Sequence, residues 1–107
     1  MIYELRTYEA MPGKLPALNR RFAEITMGYF KKHGLNPVGF WTEDVGTNNT
    51  LVYMLSFENA ADRDRAWSAF RADEERAKLF AETEQEGPLV ARITNRLLRA
   101  TDYSPMQ

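Results

Sequence analysis

The fold is decided by residues 2–34, which read IYELRTYEAMPGKLPALNRRFAEITMGYFKKHG. Residues 2–8 alternate their side chains between two faces and include several aromatic and branched residues, a pattern typical of a β-strand. The turn residues Met11-Pro12-Gly13 end this strand. Apolar residues then recur in steps of three and four from Leu15 through Leu18, Phe22, Ile25 and Tyr29. This spacing predicts an amphipathic helix that ends at Gly34.

The remainder of the chain continues with two strands, a helical region and a final strand. Residues 37–42 and 51–57 are extended and are joined by a stretch of Gly, Thr and Asn, so they predict a hairpin. Asn59 and Asp73 are suitable N-caps for the helical region, because their side-chain oxygens can accept a backbone N–H. The last strand is predicted at residues 90–99.

The predicted order is therefore βαββαβ, the ferredoxin-like arrangement of an α+β protein. We expect a four-stranded antiparallel sheet with two helices on one face and the first and third strands in the centre. The 107 residues suffice for a single domain, residues 1–107. The other sheet face is left without a cover and carries apolar side chains. This predicts a homodimer that pairs through the open sheet face as a dimeric α/β barrel.

Composition excludes several classes of function. The 14 basic and 15 acidic residues give a net charge of −1, which argues against a nucleic-acid partner. The chain has no cysteine and one histidine, so thiolate and multi-histidine metal sites are excluded, and we expect neither a metal nor a cofactor. No apolar run is long enough to cross a membrane and no secretory signal is present, which predicts a cytoplasmic protein without membrane insertion.

Several stretches along the chain together resemble the NIPSNAP family. They are IYELRTY at 2–8, PGK at 12–14, KKHGL at 31–35, VGFW at 38–41, LLR at 97–99 and TDYSP at 101–105. The resemblance implies the dimeric α/β-barrel superfamily, in agreement with the predicted topology. Members of that superfamily bind or convert small, often aromatic molecules inside the barrel, several of them without a cofactor.

Candidate catalytic residues are His33, Tyr8 and Tyr53. His33 is a candidate proton carrier because histidine is the side chain that commonly exchanges protons in catalysis, although a histidine in the last helical turn also interacts favourably with the helix dipole. Tyr8 is a candidate donor to a developing oxyanion or an aromatic lining of the dimer core. Tyr53 is a second candidate donor. Like Trp41, it lies in the predicted hairpin and could stack on a flat ligand.

Candidate substrate-binding residues are Arg6, Glu4 and Trp41. Glu4 and Arg6 share one strand face, which we expect a partner subunit to cover, so they form either an ion pair that sets the dimer register or an anchor for an anionic substrate. Trp41 is the candidate stacking surface. The preferred hypothesis is a protein that binds or converts a small aromatic or carbonyl-containing molecule in the barrel pocket. Any catalysis would be acid–base chemistry such as that of an isomerase, cyclase, dehydratase or monooxygenase. The alternative is a non-catalytic interaction module with a solid barrel interior.

Overall fold

The computed structural model describes residues 1–107 and contains four strands and a layer of helices. The strands are β1 (Ile2–Ala10), β2 (Asn36–Thr42), β3 (Thr50–Phe57) and β4 (Val90–Arg99). The helices are α1 (Leu15–Arg21), α2 (Met27–His33), α3 (Ala60–Ala72) and α4 (Glu74–Thr83). A π-helical segment, the π turn (Phe22–Thr26), joins α1 to α2. None of the helices is both long and apolar enough to cross a lipid bilayer.

The sheet has the predicted ferredoxin-like topology. Its strand order is β2-β3-β1-β4 and every pairing is antiparallel, so β1 and β3 occupy the centre. The predicted caps are also present, since Asn59 accepts the backbone N–H of Asp62 and Asp73 accepts that of Arg76. These local signals fix where α3 and α4 begin.

The helices cover the sheet face that carries Glu4, Arg6 and Tyr8. Arg6 lies opposite Tyr53 in the β1–β3 register, and the Tyr53 ring packs against Phe30 of α2. The expectation that a partner subunit covers Glu4 and Arg6 is therefore wrong, because these charges point into the protomer itself. The physical reason is that α3 supplies hydrogen-bond donors to the Glu4 carboxylate, which satisfies a charge that would otherwise be costly to bury.

The opposite sheet face has no helix over it. Leu5, Val52 and Met54 are half-buried there, and Trp41 is 52% exposed. The Trp41 indole lies against Gly39, where an added Cβ would be 2.7 Å from the ring. A side chain at position 39 would therefore displace the indole. The edge strand β4 is exposed from Ala91 to Arg99.

The π turn changes the register of the long helix that begins at Leu15. The N–H of Met27 donates to the carbonyl of Phe22, five residues earlier, so one extra residue is accommodated in this turn. Thr26, at the end of this turn, is buried, whereas Ile25, which the regular spacing places on the apolar face, is half-buried. Arg21, the last residue of α1, is also buried.

Candidate functional site

A cavity of about 180 Å³ lies between the sheet and the helices. The sheet contributes Tyr8, Val90 and Ile93 to its wall, and the helix layer contributes two polar side chains, Arg21 and Thr26. Aromatic rings supply the remaining surface; they belong to Phe22, Phe30, Trp67, Phe70 and Phe80. Ile93 is 46% exposed and thus lies where the cavity opens to solvent. The site is apolar and aromatic with a few polar groups, as small-molecule sites commonly are.

Tyr8 connects the cavity to a buried row of polar side chains. Its hydroxyl oxygen lies 3.1 Å from Nη2 of Arg6, which donates to it, and 2.9 Å from the Tyr53 hydroxyl. The Arg6 guanidinium also lies 4.3 Å from the centre of the Trp67 ring. Burial raises the pKa of Tyr53 well above its ordinary value, so this phenol stays protonated.

Glu4 anchors the other end of this row. One carboxylate oxygen accepts from Arg63 Nε at 3.0 Å and Trp67 Nε1 at 2.8 Å, and the other accepts from Arg6 Nη1 at 2.8 Å and Arg63 Nη2 at 3.0 Å. Burial raises the pKa of Glu4, but the hydrogen bonds from Arg63, Trp67 and Arg6 outweigh burial and hold the pKa below its ordinary value. The Glu4 carboxylate thus accepts four hydrogen bonds, and it holds Arg6 next to the Tyr8 hydroxyl.

Arg21 faces the cavity from the helix layer and is incompletely paired. Its Nη1 donates to Thr83 Oγ1 at 3.3 Å and lies 3.5 Å from the half-exposed Glu84 carboxylate, while its Nε has no hydrogen-bond partner. The guanidinium lies 4.4 Å from the centre of the Phe80 ring. Burial lowers the pKa of Arg21 more than Glu84 raises it. The protein therefore leaves part of this cation's charge uncompensated.

Thr26 is the second unpartnered polar group in the cavity wall. Its side chain is buried, and its hydroxyl oxygen has no hydrogen-bond partner. The π turn brings Thr26 to this wall together with Phe22 and the preceding Arg21. Such turns occur frequently at functional sites. A cation, two hydroxyls and aromatic walls are together suited to a flat molecule that carries anionic or carbonyl oxygens.

The structure brings together four of the residues singled out in the sequence. Tyr8 lines the cavity, and Tyr53, Arg6 and Glu4 follow it in the buried polar row. Trp41 lies on the open sheet face and lines no part of the cavity, so its stacking role stays a prediction.

His33 lies apart from the cavity, at the end of α2. Its Nε2 is 2.7 Å from Asp73 Oδ2, and Lys32 Nζ is 3.0 Å from the same oxygen. The backbone hydrogen bond from Arg76, together with these two side chains, holds the pKa of Asp73 well below its ordinary value. His33 borders a separate polar groove, and its role as a proton carrier stays a prediction.

Arg21 and Thr26 were missed by sequence reasoning. Arg21 follows Leu18 by three residues and Thr26 follows Phe22 by four, so both positions neighbour the predicted apolar stripe. A polar side chain beside an apolar stripe is usually solvated, yet Arg21 is buried in α1 and Thr26 is buried at the end of the π turn. The available signal was their spacing, which by itself did not distinguish burial from exposure.

Comparisons with known proteins identify similar chains. The NIPSNAP family model matches residues 3–105. Protein NipSnap homolog from Dictyostelium discoideum is 32% identical over 65 residues, which are 60% of this chain and 28% of that protein. The chain thus spans about a quarter of the length of this curated relative.

Two solved structures show the same fold over nearly the whole chain. A NIPSNAP family protein with unknown function from Agrobacterium tumefaciens is 25% identical, with a TM-score of 0.86 and coverage of 100% of this chain and 94% of that chain. An uncharacterized NIPSNAP-like domain protein from Burkholderia xenovorans is 24% identical, with a TM-score of 0.85 and coverage of 97% and 88%.

Proposed function

Because the chain belongs to the NIPSNAP family, and the similar Agrobacterium tumefaciens protein has unknown function, we propose a function from the site itself. The protein binds a small aromatic or carbonyl-containing molecule in the cavity between its sheet and helices. It does so as a homodimer that pairs through the open sheet face.

The observation that carries this proposal is the pair of unpartnered polar groups in an aromatic cavity, Arg21 Nε and Thr26 Oγ1. A buried polar atom without a partner costs about 1–3 kcal/mol, so a fold without a ligand gains nothing from keeping two of them together. Oxygen atoms of a bound molecule would satisfy both. The cavity of about 180 Å³ is close in size to cavities of about 150 Å³ that hold benzene. One aromatic ring with its substituents is therefore the expected scale of ligand.

The open sheet face supports the homodimer. Leu5, Val52 and Met54 are half-buried on it, and Trp41 and Leu98 are exposed beside them. Contiguous apolar surface of this kind is uncommon on monomers. A second copy that presents the same face would cover it without any new chemistry.

The same site supports acid–base chemistry without a cofactor. Tyr8 lines the cavity, and the hydrogen bond from Arg6 to its hydroxyl favours negative charge on the Tyr8 oxygen. For a carbonyl-containing or phenolic substrate, isomerisation, cyclisation, dehydration and oxygenation have routes through an enolate or phenolate, which such a pair would stabilise. Catalysis by Tyr8 is part of the proposal, with Tyr53 as its buried hydrogen-bond partner.

A thermal-shift screen with single-ring aromatic acids and ketones tests the proposal. A ligand that binds only the folded protein at a concentration of about 100 Kd adds about 2.7 kcal/mol to its stability. Ile93→Trp fills the mouth of the cavity, and Leu97→Trp is the matched control, since Leu97 is an exposed β4 residue on the same face that does not line the cavity.

We expect at least one compound to raise the melting temperature of the original protein and of Leu97→Trp but not of Ile93→Trp. If no compound stabilises the original protein, or if Ile93→Trp responds equally, the cavity is not a ligand site. The interaction module then becomes the better hypothesis.

A further inference from the structure

The proposed cavity presents two different polar ends, and we propose that they determine its substrate class. Arg21 binds a carboxylate, and Tyr8 donates its hydroxyl proton in a hydrogen bond to a second oxygen of the same molecule. The ligand is thus a single-ring aromatic carboxylate with a hydroxyl or keto oxygen. This inference rests on the proposed function and specifies the ligand of that site.

The direction of the Tyr8 hydrogen bond follows from counting protons. A phenol has one proton and two acceptor lone pairs. Arg6 has only donors, so its Nη2 occupies one lone pair of the Tyr8 oxygen at 3.1 Å. Tyr53 is fully buried and has Tyr8 as its hydrogen-bond partner at 2.9 Å, so its proton is satisfied only when it is donated to Tyr8. Both lone pairs of Tyr8 are then occupied.

Tyr8 is consequently left with a free proton and no remaining acceptor capacity. Because Tyr8 lines the cavity, that proton is available to a ligand oxygen. The Arg6 cation withdraws electron density from the phenol oxygen and strengthens its donation. Tyr8 is thus a donor that distinguishes a ligand oxygen from a hydrogen or a methyl group at this position.

The carboxylate specificity follows from the opposite wall. Arg21 is 93% buried, its Nε is unpartnered, and its only carboxylate neighbour, Glu84, lies 3.5 Å away with a side chain that is 36% exposed. A planar guanidinium with a free Nε edge matches a carboxylate in two parallel hydrogen bonds. Thr26, at the end of the π turn that begins directly after Arg21, adds a hydroxyl that is also without a partner. An anionic group at this wall completes the pairing that the protein leaves unfinished.

The experiment measures dissociation constants calorimetrically for benzoate, for 2-, 3- and 4-hydroxybenzoate, and for the neutral benzamide. The variants are Tyr8→Phe, Arg21→Gln and Arg21→Lys, with Tyr3→Phe as the control. Tyr3 is on the same strand as Tyr8 but on the other face of the sheet. Circular dichroism and the melting temperature establish that each variant is folded.

We expect the original protein to bind at least one hydroxybenzoate about three- to ten-fold more tightly than benzoate, the effect of one hydrogen bond. Tyr8→Phe should abolish this ratio and leave benzoate binding within about two-fold, whereas Tyr3→Phe should keep the ratio. Arg21→Gln should weaken all the acids by about ten-fold or more without affecting benzamide. If that variant does not fold, Arg21→Lys should weaken the acids by losing the planar fork.

The inference is overturned if Tyr8→Phe retains the hydroxybenzoate preference, or if the folded Arg21 variants bind benzoate as tightly as the original protein. In either case bound benzoate would leave the proposed function intact. If none of the probes binds the original protein, the assigned substrate class is wrong, and the broader screen above then decides whether the cavity takes any ligand.

Discussion

Arg6 and Arg21 are buried to nearly the same extent, with 8% and 7% exposure, but their surroundings differ. Arg6 pairs with the fully buried Glu4 at 2.8 Å and donates to Tyr8. Arg21 has a carboxylate only at 3.5 Å, on a residue near the surface. Burial lowers the pKa of both groups, yet Tyr53, Tyr8 and Glu4 raise the pKa of Arg6 above its ordinary value, whereas the pKa of Arg21 stays lowered.

The difference separates a structural ion pair from the cation that we propose as a ligand-binding group. Around Arg6 the protein supplies a fully buried carboxylate and a phenol acceptor, so the ion pair contributes to a defined core arrangement, although the Arg6 Nε, like that of Arg21, has no hydrogen-bond partner. Arg21 is buried, but its neighbours do not fully compensate the free-energy cost of removing its charge from water. The remaining cost is offset by the packing of the rest of the core. An incompletely paired buried cation beside a cavity is therefore the stronger indication of a ligand site.

The largest expected effect comes from removing the carboxylate that pairs with Arg6. Glu4→Gln removes the charge that Arg6 and Arg63 share and should lower the free energy of unfolding by about 3 kcal/mol, because it leaves the buried Arg6 cation without a counter-charge. Glu84→Gln, on the Arg21 side, should cost less than about 1 kcal/mol because its carboxylate is partly exposed. Urea denaturation measures both. Equal losses in the two variants would remove the distinction between the arginines.

The pH dependence of stability sharpens the same comparison. Because the pKa of Glu4 is lowered by folding, its contribution is present above its unfolded pKa of about 4.3 and is lost as the pH falls through the folded value. The melting temperature should therefore decrease below about pH 4, and the decrease should be smaller in Glu4→Gln. The pKa of Asp73, at the start of α4, is also lowered by folding and adds a similar acid dependence of stability. Asp73→Asn is therefore the control that measures this second contribution separately. An unchanged acid profile in Glu4→Gln would contradict the paired state of Glu4.

The smallest effect concerns the cavity wall and has the opposite sign. Thr26→Val removes a buried hydroxyl that has no partner and should raise the free energy of unfolding by about 1 kcal/mol. Thr83→Val is the matched control, because the Thr83 hydroxyl donates to the Phe80 carbonyl at 2.6 Å and accepts from Arg21. The control should be destabilised by a similar amount. Thermal denaturation distinguishes them, and destabilisation of Thr26→Val would mean that its hydroxyl is satisfied within the fold.

Much of the fold was predictable because its signals are local. The alternation of residues 2–8, the caps Asn59 and Asp73, and the glycine that ends α2 each act within a few residues of their own position. Right-handed crossovers then leave one strand order, the observed β2-β3-β1-β4.

The candidate site was predictable in its residue types but not in its location. Tyr8, Tyr53, Arg6 and Glu4 could be singled out as polar groups on predicted strands. Alternation shows that a strand has two faces but not which face the helices cover. Charged side chains on β1 suggested the interface between subunits, whereas their partners Arg63 and Trp67 come from α3, far away in sequence.

The sequence by itself determined the element order, the sheet topology and the polar residues of β1, since periodicity, capping and turn chemistry depend on near neighbours. Only the tertiary structure decided that Glu4 and Arg6 point inward and that Arg21 of α1 and Thr26 of the π turn line the cavity. Both outcomes depend on whether a buried charge or hydroxyl finds a partner across the core. That balance is set by contacts between distant residues, and no local pattern records it.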